Sequence, residues 1–271
     1  MPQKSNPVPE YPDERMLPSI GIVTPSYNQA RYIRQTIDSV LHQDYPNLDY
    51  VIVDGGSTDG TQEILRSYGS RIRWISEKDR GQSDAINKGL GMVQGDILAY
   101  LNSDDVLLHG SLRAVGEFFA SHHKAPWVSG YCRNINEKNE VVQSFASSYK
   151  HFLLRHYRFW TLVIINYIGQ MSTFWTRGAF KAVGFFSLDH HLVMDYDYWI
   201  RLAKLGAPGI LRQELSAFRL HKDTKSTNRY IEQFQQSAAV GMRATKNPLL
   251  CVLAWLHNRL VILAYRIFSL R

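Results

Sequence analysis

The stretch YVIVDGGSTDGTQEILRSYG, residues 50–69, predicts a strand, a turn and a helix in immediate succession. Its first residues, 50–53, contain a short β-branched run that is typical of a strand. Residues 57–59 (Ser-Thr-Asp) are of the types that begin helices, and they precede the helical pattern of residues 60–68. We therefore expect a strand and a helix joined by a polar loop.

The same unit recurs on both sides of this stretch. The β-branched runs lie at residues 20–24, 72–76 and 97–101, and helical patterns follow at 30–42, 83–93 and 111–122. This alternation predicts an α/β fold with a mostly parallel, Rossmann-like sheet that is flanked by helices. Further strands are predicted at residues 127–131, 141–145 and 209–215, and further helices at 196–205, 230–245 and 249–270.

Composition places the chain among folded proteins. With 271 residues, of which 45% are hydrophobic, it can bury a large core, so disorder is excluded as its main state. The formal charge of +7 suits a partner with negative charge, such as nucleotide phosphates, acidic lipid or nucleic acid. No nucleic-acid-binding module is recognisable, so we expect no nucleic acid partner. The two cysteines, Cys132 and Cys251, lie far apart, which favours a reducing, cytoplasmic compartment.

The two ends of the chain differ from its middle. Residues 1–17 are polar and proline-rich and are interpreted as a flexible tail, whereas residues 226–271 are expected to form C-terminal helices. The last helical pattern is apolar but contains Asn258, Arg259 and Arg266, so it does not suit a membrane span. Because the two arginines share a helix face, the segment suits the membrane interface. Packing on the same domain, or on a partner subunit in an oligomer, is the alternative.

Polar side chains follow each of the first four predicted strands, at residues 24–28, 54–59, 77–81 and 102–105. Each set alone would suit a turn or a helix cap. The carboxyl ends of parallel strands meet at one edge of a sheet, however, and ligands bind there. The adjacent Asp104 and Asp105 indicate a platform for Mg²⁺ or Mn²⁺ and a bound diphosphate. The glycine spacing fits neither a dinucleotide-binding loop nor a P-loop.

Four motifs, in this order, resemble those of the family 2 glycosyltransferases, which are inverting enzymes with a GT-A fold. The motifs are IVTPSYN at residues 22–28, VIVDGGSTDGT at 51–61, YLNSDD at 100–105 and MDYDYWIRL at 194–202. The segment FRLH at 218–221 is similar to the late histidine segment of the family. The resemblance covers residues 18–222. It implies a GT-A domain over residues 18–225, with a nucleotide-sugar half at 18–122 and an acceptor half at 123–225.

The resemblance also implies a set of site residues. The donor nucleotide would contact Thr24, Pro25, Tyr27, Asn28, Asp54, Asp79, Arg80, Asp84, Ser103 and Asp104. Asp104 and Asp105, with His221, would hold Mn²⁺ or Mg²⁺, and Asp195 would be the catalytic base. Two positions depart from the family pattern, because Asn102 replaces the first carboxylate of the Asp-x-Asp signature and Met194 replaces the glutamate before the base.

By this resemblance the protein is expected to be a metal-dependent, inverting glycosyltransferase. Its donor would be a nucleotide-diphosphate sugar, with a UDP-sugar favoured. Its acceptor would be a hydroxyl group of a saccharide. The composition of the two basic apolar segments, residues 149–170 and 249–270, suits peripheral contact with the inner face of the membrane and thus a lipid-linked acceptor, such as a glycolipid or polysaccharide precursor. The aromatic and basic stretch at residues 149–170 lies where the family often carries acceptor-side segments. A catalytically silent sugar-nucleotide binding protein and a nucleotidyltransferase are the alternatives.

Overall fold

The computed structural model describes residues 17–142, 145–222 and 229–269, with side chains through residue 263. Of the predicted tail, only Leu17 is among the described residues, and its side chain is buried. Residues 1–16, which make up the rest of that tail, and the side chain of Arg266 lie outside them.

Within the described residues, strands and helices alternate over the first half of the chain. The strands are β1 (Ile20–Ser26), β2 (Leu48–Asp54), β3 (Arg73–Ser76), β4 (Ile97–Tyr100), β5 (Val106–Leu107), β6 (Trp127–Ile135), β7 (Thr173–Thr176) and β8 (Gly209–Arg219). The helices are α1 (Ile33–Leu41), α2 (Thr61–Ser67), α3 (Gln82–Met92), α4 (Ser111–Ser121), α5 (Phe145–Arg155), α6 (Phe159–Ile164), α7 (Arg177–Val183), α8 (Met194–Ala203), α9 (Tyr230–Arg243) and α10 (Pro248–Ser269).

The strands form one sheet in the order β3-β2-β1-β4-β7-β6-β8-β5. Strands β1 to β4 are parallel to their neighbours among themselves, whereas β7 is antiparallel to both β4 and β6. Since β6 and β8 are parallel, both run in the direction of β1 to β4. The carboxyl ends of these six strands therefore lie at the same edge, and the predicted α/β fold with a mostly parallel sheet is confirmed.

Residues of the central strands are buried on both faces of the sheet, as helices on both sides require. Successive residues alternate between the two hydrophobic clusters, so that Val23 and Val51 pack on one face and Ile22 and Ile52 on the other. On the first face, a Cβ atom at Gly89 would lie 2.3 Å from Cγ1 of Val23. Glycine at this position thus lets α3 pack directly against β1.

The predicted strand at residues 141–145 is wrong. Val141 forms only an isolated bridge with Ile135, and α5 begins at Phe145. The amide of Asn134 donates a hydrogen bond to Ser147 Oγ (3.0 Å), which attaches the helix to β6 instead of continuing the hairpin. β5, β7 and α7 were not predicted either.

The C-terminal α10 is the longest helix among the described residues. Among the described residues, no helix is long and apolar enough to cross a membrane. The inner face of α10 packs against α6 and α9.

Candidate active site

A cavity of about 940 Å³ lies at the edge where the parallel strands end. Its walls come from the loops after β1 to β4, from α5 and α8, and from the end of β8. Of the residues predicted from sequence, seven line it: Pro25, Tyr27, Asp79, Ser103, Asp104, Asp195 and His221. Of the other predicted residues, Thr24, Asp54, Asp84 and Asp105 are buried, whereas Asn28 and Arg80 are exposed.

Asp54 is fully buried and organises the loop after β2. Its carboxylate accepts hydrogen bonds from the backbone N–H of Ser57 (2.9 Å) and from the hydroxyl groups of Ser57 and Ser76 (2.6 Å for Ser76). It thereby joins the ends of β2 and β3. The next residue, Gly55, approaches the cavity wall so closely that a Cβ atom there would lie 2.6 Å from Oδ2 of Asp79. Glycine therefore makes room for the Asp79 carboxylate.

Asn28 joins the loops after β1 and β2. It adopts a left-handed conformation with φ of 52°, which asparagine tolerates better than most residues. Its side-chain oxygen accepts from the backbone N–H of Thr58 (2.9 Å), and its own N–H donates to Ser57 Oγ (2.7 Å). Thr24 is buried below and hydrogen bonds to the hydroxyl group of Tyr50 (3.0 Å). These contacts present Tyr27, whose side chain is 62% exposed, at the cavity wall.

Asp84 and Arg80 shape the loop after β3. The Asp84 carboxylate accepts from the backbone N–H of Arg80 and from its guanidinium group, both at 3.1 Å. The backbone hydrogen bond is the main reason why the pKa of Asp84 is lowered. The loop turns Asp79 toward the cavity, where Oδ1 of Asp79 accepts from the N–H of Gly81 (2.7 Å).

Asp104 and His221 meet across the cavity wall. Nε2 of His221, which follows β8, lies 3.0 Å from Oδ2 of Asp104, which follows β4. The side chain of His221 is almost fully buried, and that of Asp104 is 21% exposed. The tilted ring of Tyr32 lies 4.9 Å from the imidazole ring, centroid to centroid, and fixes its position.

Asp105 lies behind this pair and is fully buried. One carboxylate oxygen accepts from the backbone N–H of Arg219 (3.0 Å) and the other from the side-chain amide of Asn102 (3.2 Å). Burial, and secondly the charge of Asp104, raise the pKa of Asp105 well above its usual range. Asp105 is therefore a structural support of the loop in this arrangement.

Arg219 is buried beside Asp105 and connects several segments. Its guanidinium group donates to the carbonyl oxygen of Asp104 (2.9 Å), to Oδ1 of Asn139 (2.6 Å) and to Oε1 of Gln35 (2.8 Å). The guanidinium carbon also lies 5.2 Å from the centre of the Tyr32 ring. Arg219 belongs to the segment at residues 218–221 that resembles the late histidine segment of the family. The sequence did not predict that its side chain would be buried and would connect these segments.

A carboxylate oxygen and an imidazole nitrogen can both bind a divalent cation. The 3.0 Å between Oδ2 of Asp104 and Nε2 of His221, at which they are hydrogen bonded here, is also about the separation of neighbouring ligand atoms in an octahedral site with bonds of about 2.1 Å. Such a cation takes few protein ligands and completes its shell with phosphate oxygens and water. Among the described residues, no group of three His, Cys, Asp or Glu side chains could hold a metal ion, so substrate oxygens would have to complete the shell.

Asp195 lies in the first turn of α8 and also lines the cavity. Its Oδ1 accepts from the N–H of Tyr196 (2.8 Å). Burial raises the pKa of Asp195, although this N–H group, the positive charge of Lys150 and a hydrogen bond from Asn166 act in the opposite direction. The neighbouring Met194 also lines the cavity, and its sulfur accepts a hydrogen bond from Ser83 Oγ (2.8 Å).

Three side-chain amides that line the cavity are joined by hydrogen bonds. The side chain of Gln82 donates to Asn102 Oδ1 (2.7 Å), and Asn102 donates to Gln170 Oε1 (3.1 Å). Gln170 in turn donates to the carbonyl oxygen of Tyr100 (2.6 Å). Asn102 thus both accepts and donates hydrogen bonds in this network, whereas an ionised carboxylate at this position could only accept them. Gln82 and Gln170 carry no sequence signal for it, because they come from distant segments.

The chain is similar in sequence to known glycosyltransferases. The family model described as Glycosyl transferase family 2 matches residues 21–179, which is more than half of the chain. An uncharacterized glycosyltransferase of Haemophilus influenzae is 28% identical over 220 residues, which are 79% of this chain and 84% of that protein.

Two solved structures share the fold. S. aureus TarS in complex with UDP-GlcNAc matches with a TM-score of 0.64 at 17% identity, over 82% of this chain and 66% of that chain. The mannosyltransferase PcManGT from Pyrobaculum calidifontis, in complex with GDP-Man and Mn²⁺, matches with a TM-score of 0.64 at 18% identity, over 98% and 84%. The likeness confirms the GT-A fold that the sequence motifs implied. Together with the family model, it shows that this chain belongs to glycosyl transferase family 2.

Proposed function

We propose that this glycosyltransferase moves a sugar from a UDP-sugar to an acceptor hydroxyl group, with inversion at the anomeric carbon and with Mn²⁺ or Mg²⁺ as cofactor. The observation that carries the proposal is that one cavity is lined both by the Asp104–His221 pair and by Asp195. The Asp104–His221 pair suits a diphosphate with its cation, and Asp195 suits the role of a base. We assign the donor to residues 18–122 and the acceptor to residues 123–225.

The nucleoside would lie on the wall formed by the loops after β1 and β3. The exposed ring of Tyr27 offers a stacking face, and Pro25 extends the apolar contact. The Asp79 carboxylate can accept hydrogen bonds from the base or the ribose. Asn28, Asp54 and Asp84 support these loops. TarS was solved with UDP-GlcNAc and PcManGT with GDP-Man, so relatives with this fold bind nucleotide sugars of both bases.

The diphosphate would lie next to Ser103 and Asp104. Asp104 and His221 would hold the cation, and when bound it supplies Lewis acid stabilisation of the charge that develops on the departing diphosphate. Arg219 keeps the Asp104 carbonyl in place, and Asp105 holds the backbone of Arg219. The metal ligands are therefore held in position before the donor binds, which lowers the cost of assembling the site.

Asp195 would act as the base in a single displacement. The acceptor oxygen forms a bond to the anomeric carbon, the bond from that carbon to the diphosphate oxygen breaks with its electron pair, and Asp195 takes the acceptor proton. A carboxylate whose pKa is raised by burial is a stronger base than one in water, and this direction is the one found for Asp195. Asn166 and Tyr196 fix its orientation.

The acceptor would be a saccharide or a lipid-linked molecule. The acceptor part of the cavity is lined by Lys150, His151 and Asn166, which can bind hydroxyl or acidic groups of a glycan. The free Cys132 and Cys251 favour a reducing compartment, so we place the reaction at the cytoplasmic side of a membrane.

Isothermal titration of the purified chain with UDP, with and without Mn²⁺, tests the donor and cofactor. We expect binding that requires the cation and is weaker for GDP. Hydrolysis of UDP-sugars in the absence of acceptor, followed as UDP release, then separates an enzyme from a silent binding protein. Binding without any release or transfer would contradict the catalytic proposal, and a lack of binding to every nucleoside diphosphate would contradict the donor proposal.

A further inference from the structure

The helix α10 carries its large apolar side chains on the outside. Leu249, Val252, Leu256, Leu260 and Leu263 are all exposed and recur at intervals of three or four residues, so they form one stripe. The inner face of the helix carries the buried residues Ala254, Asn258 and Ile262. The leucines therefore do not belong to the core of this chain.

The helix α6, which packs against α10, and the helix α5, which precedes α6 in the chain, also expose large apolar residues. On α5, Phe145 is 87% exposed, and Tyr149 and Phe152 are also in solvent. On α6, Trp160 is 55% exposed. We call the exposed apolar residues of α5, α6 and α10, together with the cations among them, the basic apolar surface.

The segments that carry these residues contain charges of one sign. Neither residues 141–188 nor residues 233–271 contain any aspartate or glutamate. Among the described residues, the exposed cations in these segments are Lys150, Arg155, Arg158, Lys181, Arg243, Lys246 and Arg259. The guanidinium group of Arg259 lies 5.3 Å from the centre of the Trp255 ring, so that a cation and an exposed aromatic ring occur side by side.

We propose that the basic apolar surface docks on an anionic lipid bilayer. Apolar side chains enter the acyl boundary while lysine and arginine contact acidic headgroups, which is the chemistry of an interfacial amphipathic helix. A second copy of the chain is a poorer occupant, because two such surfaces would bring cations together without carboxylates to pair them. The helix lies on the membrane and does not cross it.

α5 connects this surface to the active site. Ser147, Lys150, His151 and Leu154 follow the spacing of one helix face and line the cavity, whereas Phe145 and Phe152 are exposed. One helix thus forms both the acceptor wall of the cavity and a part of the membrane contact. If the proposed function holds, the acceptor hydroxyl that reaches Asp195 is attached to a lipid of the same bilayer.

Sedimentation of the full-length protein with vesicles tests the docking without any need for turnover. Vesicles of phosphatidylcholine alone are compared with vesicles that also contain phosphatidylglycerol. We expect binding only to the anionic vesicles and release at high salt. A combined Trp255→Ser, Leu256→Ser and Leu260→Ser variant should lose about tenfold or more in partition. Lys246→Gln and Arg259→Gln should each lose about fivefold.

Matched controls are Leu205→Ser and Arg212→Gln, which replace an exposed leucine and an exposed arginine outside the basic apolar surface. Neither should change binding to the anionic vesicles. The proposal is overturned if the wild type stays unbound with anionic vesicles, if the controls lose as much as the test variants, or if light scattering shows a dimer that the triple variant abolishes. UDP titration of the same samples keeps the result separate from the proposed function, since donor binding should be equal in all of them.

Discussion

His221 Nε2 and Asp104 Oδ2 lie 3.0 Å apart although 117 residues separate them in the chain. The contact brings the end of β8 to the end of β4 and places an imidazole and a carboxylate on one cavity wall. Replacing Asp104 with asparagine keeps the shape of the loop and removes the charge. We expect Mn²⁺-dependent binding of UDP to fall by more than about tenfold. Titration calorimetry measures this loss, and Asp44→Asn, at an exposed turn, is the control.

Asp105 and Asp104 should differ in what their loss affects. Asp105→Ala leaves the buried N–H of Arg219 and one N–H of the Asn102 amide without an acceptor, so we expect the free energy of unfolding to fall by about 2–4 kcal/mol. Asp104→Ala removes a partly exposed side chain and should cost much less. Urea unfolding compares the two variants. An equal loss in both would show that Asp105 does not brace the loop.

Asp195→Asn removes the proposed base but keeps an oxygen that can accept from the N–H of Tyr196. Transfer should slow by about 10²–10⁴-fold, the usual contribution of a positioned base, while UDP binding stays as in the wild type. Single-turnover transfer measures the first quantity and calorimetry the second. Retention of more than half of the activity would remove Asp195 from the catalytic role.

The pH dependence of transfer should report the same carboxylate. Since Asp195 must be ionised to accept a proton and burial raises its pKa, activity should decline as the pH falls, and should do so at a higher pH than for an ordinary aspartate. The positive charge of Lys150 lowers this pKa. Lys150→Gln should therefore move the acid limb of kcat/KM to still higher pH. Lys181→Gln, which removes an exposed cation from α7, should leave the profile in place.

The strand ends could be located from sequence because their signals are local. A β-branched run followed by Asp54 or by Asp104 and Asp105 marks both the end of a strand and a polar loop. The direction of each side chain is a tertiary property, however. Asp54 and Asp105 are buried behind the cavity and Asp79 and Asp104 line it, although all four follow strands in a similar way.

The acceptor wall was harder to predict for a related reason. The stretch around Lys150 is aromatic and basic, but the strand predicted to precede it at residues 141–145 does not form. Gln170 reaches the cavity through a contact with Tyr100, seventy residues earlier in the chain. Gln170 and Tyr100 come together because the antiparallel β7 lies between β4 and β6 in the sheet. No periodic pattern in the sequence predicts this strand order.

The guanidinium group of Arg219 has a consequence for how the site is assembled during synthesis. It reaches back from β8 to the carbonyl oxygen of Asp104, to Gln35 on α1 and to Asn139 beyond β6. Residues 18–122 leave the ribosome first, yet the loop that carries Asp104 lacks its contact with Arg219 until β8 has been made and inserted. A nascent or truncated chain that ends before Gly209 would carry the four strand ends and both aspartates without Arg219 and His221 to hold them.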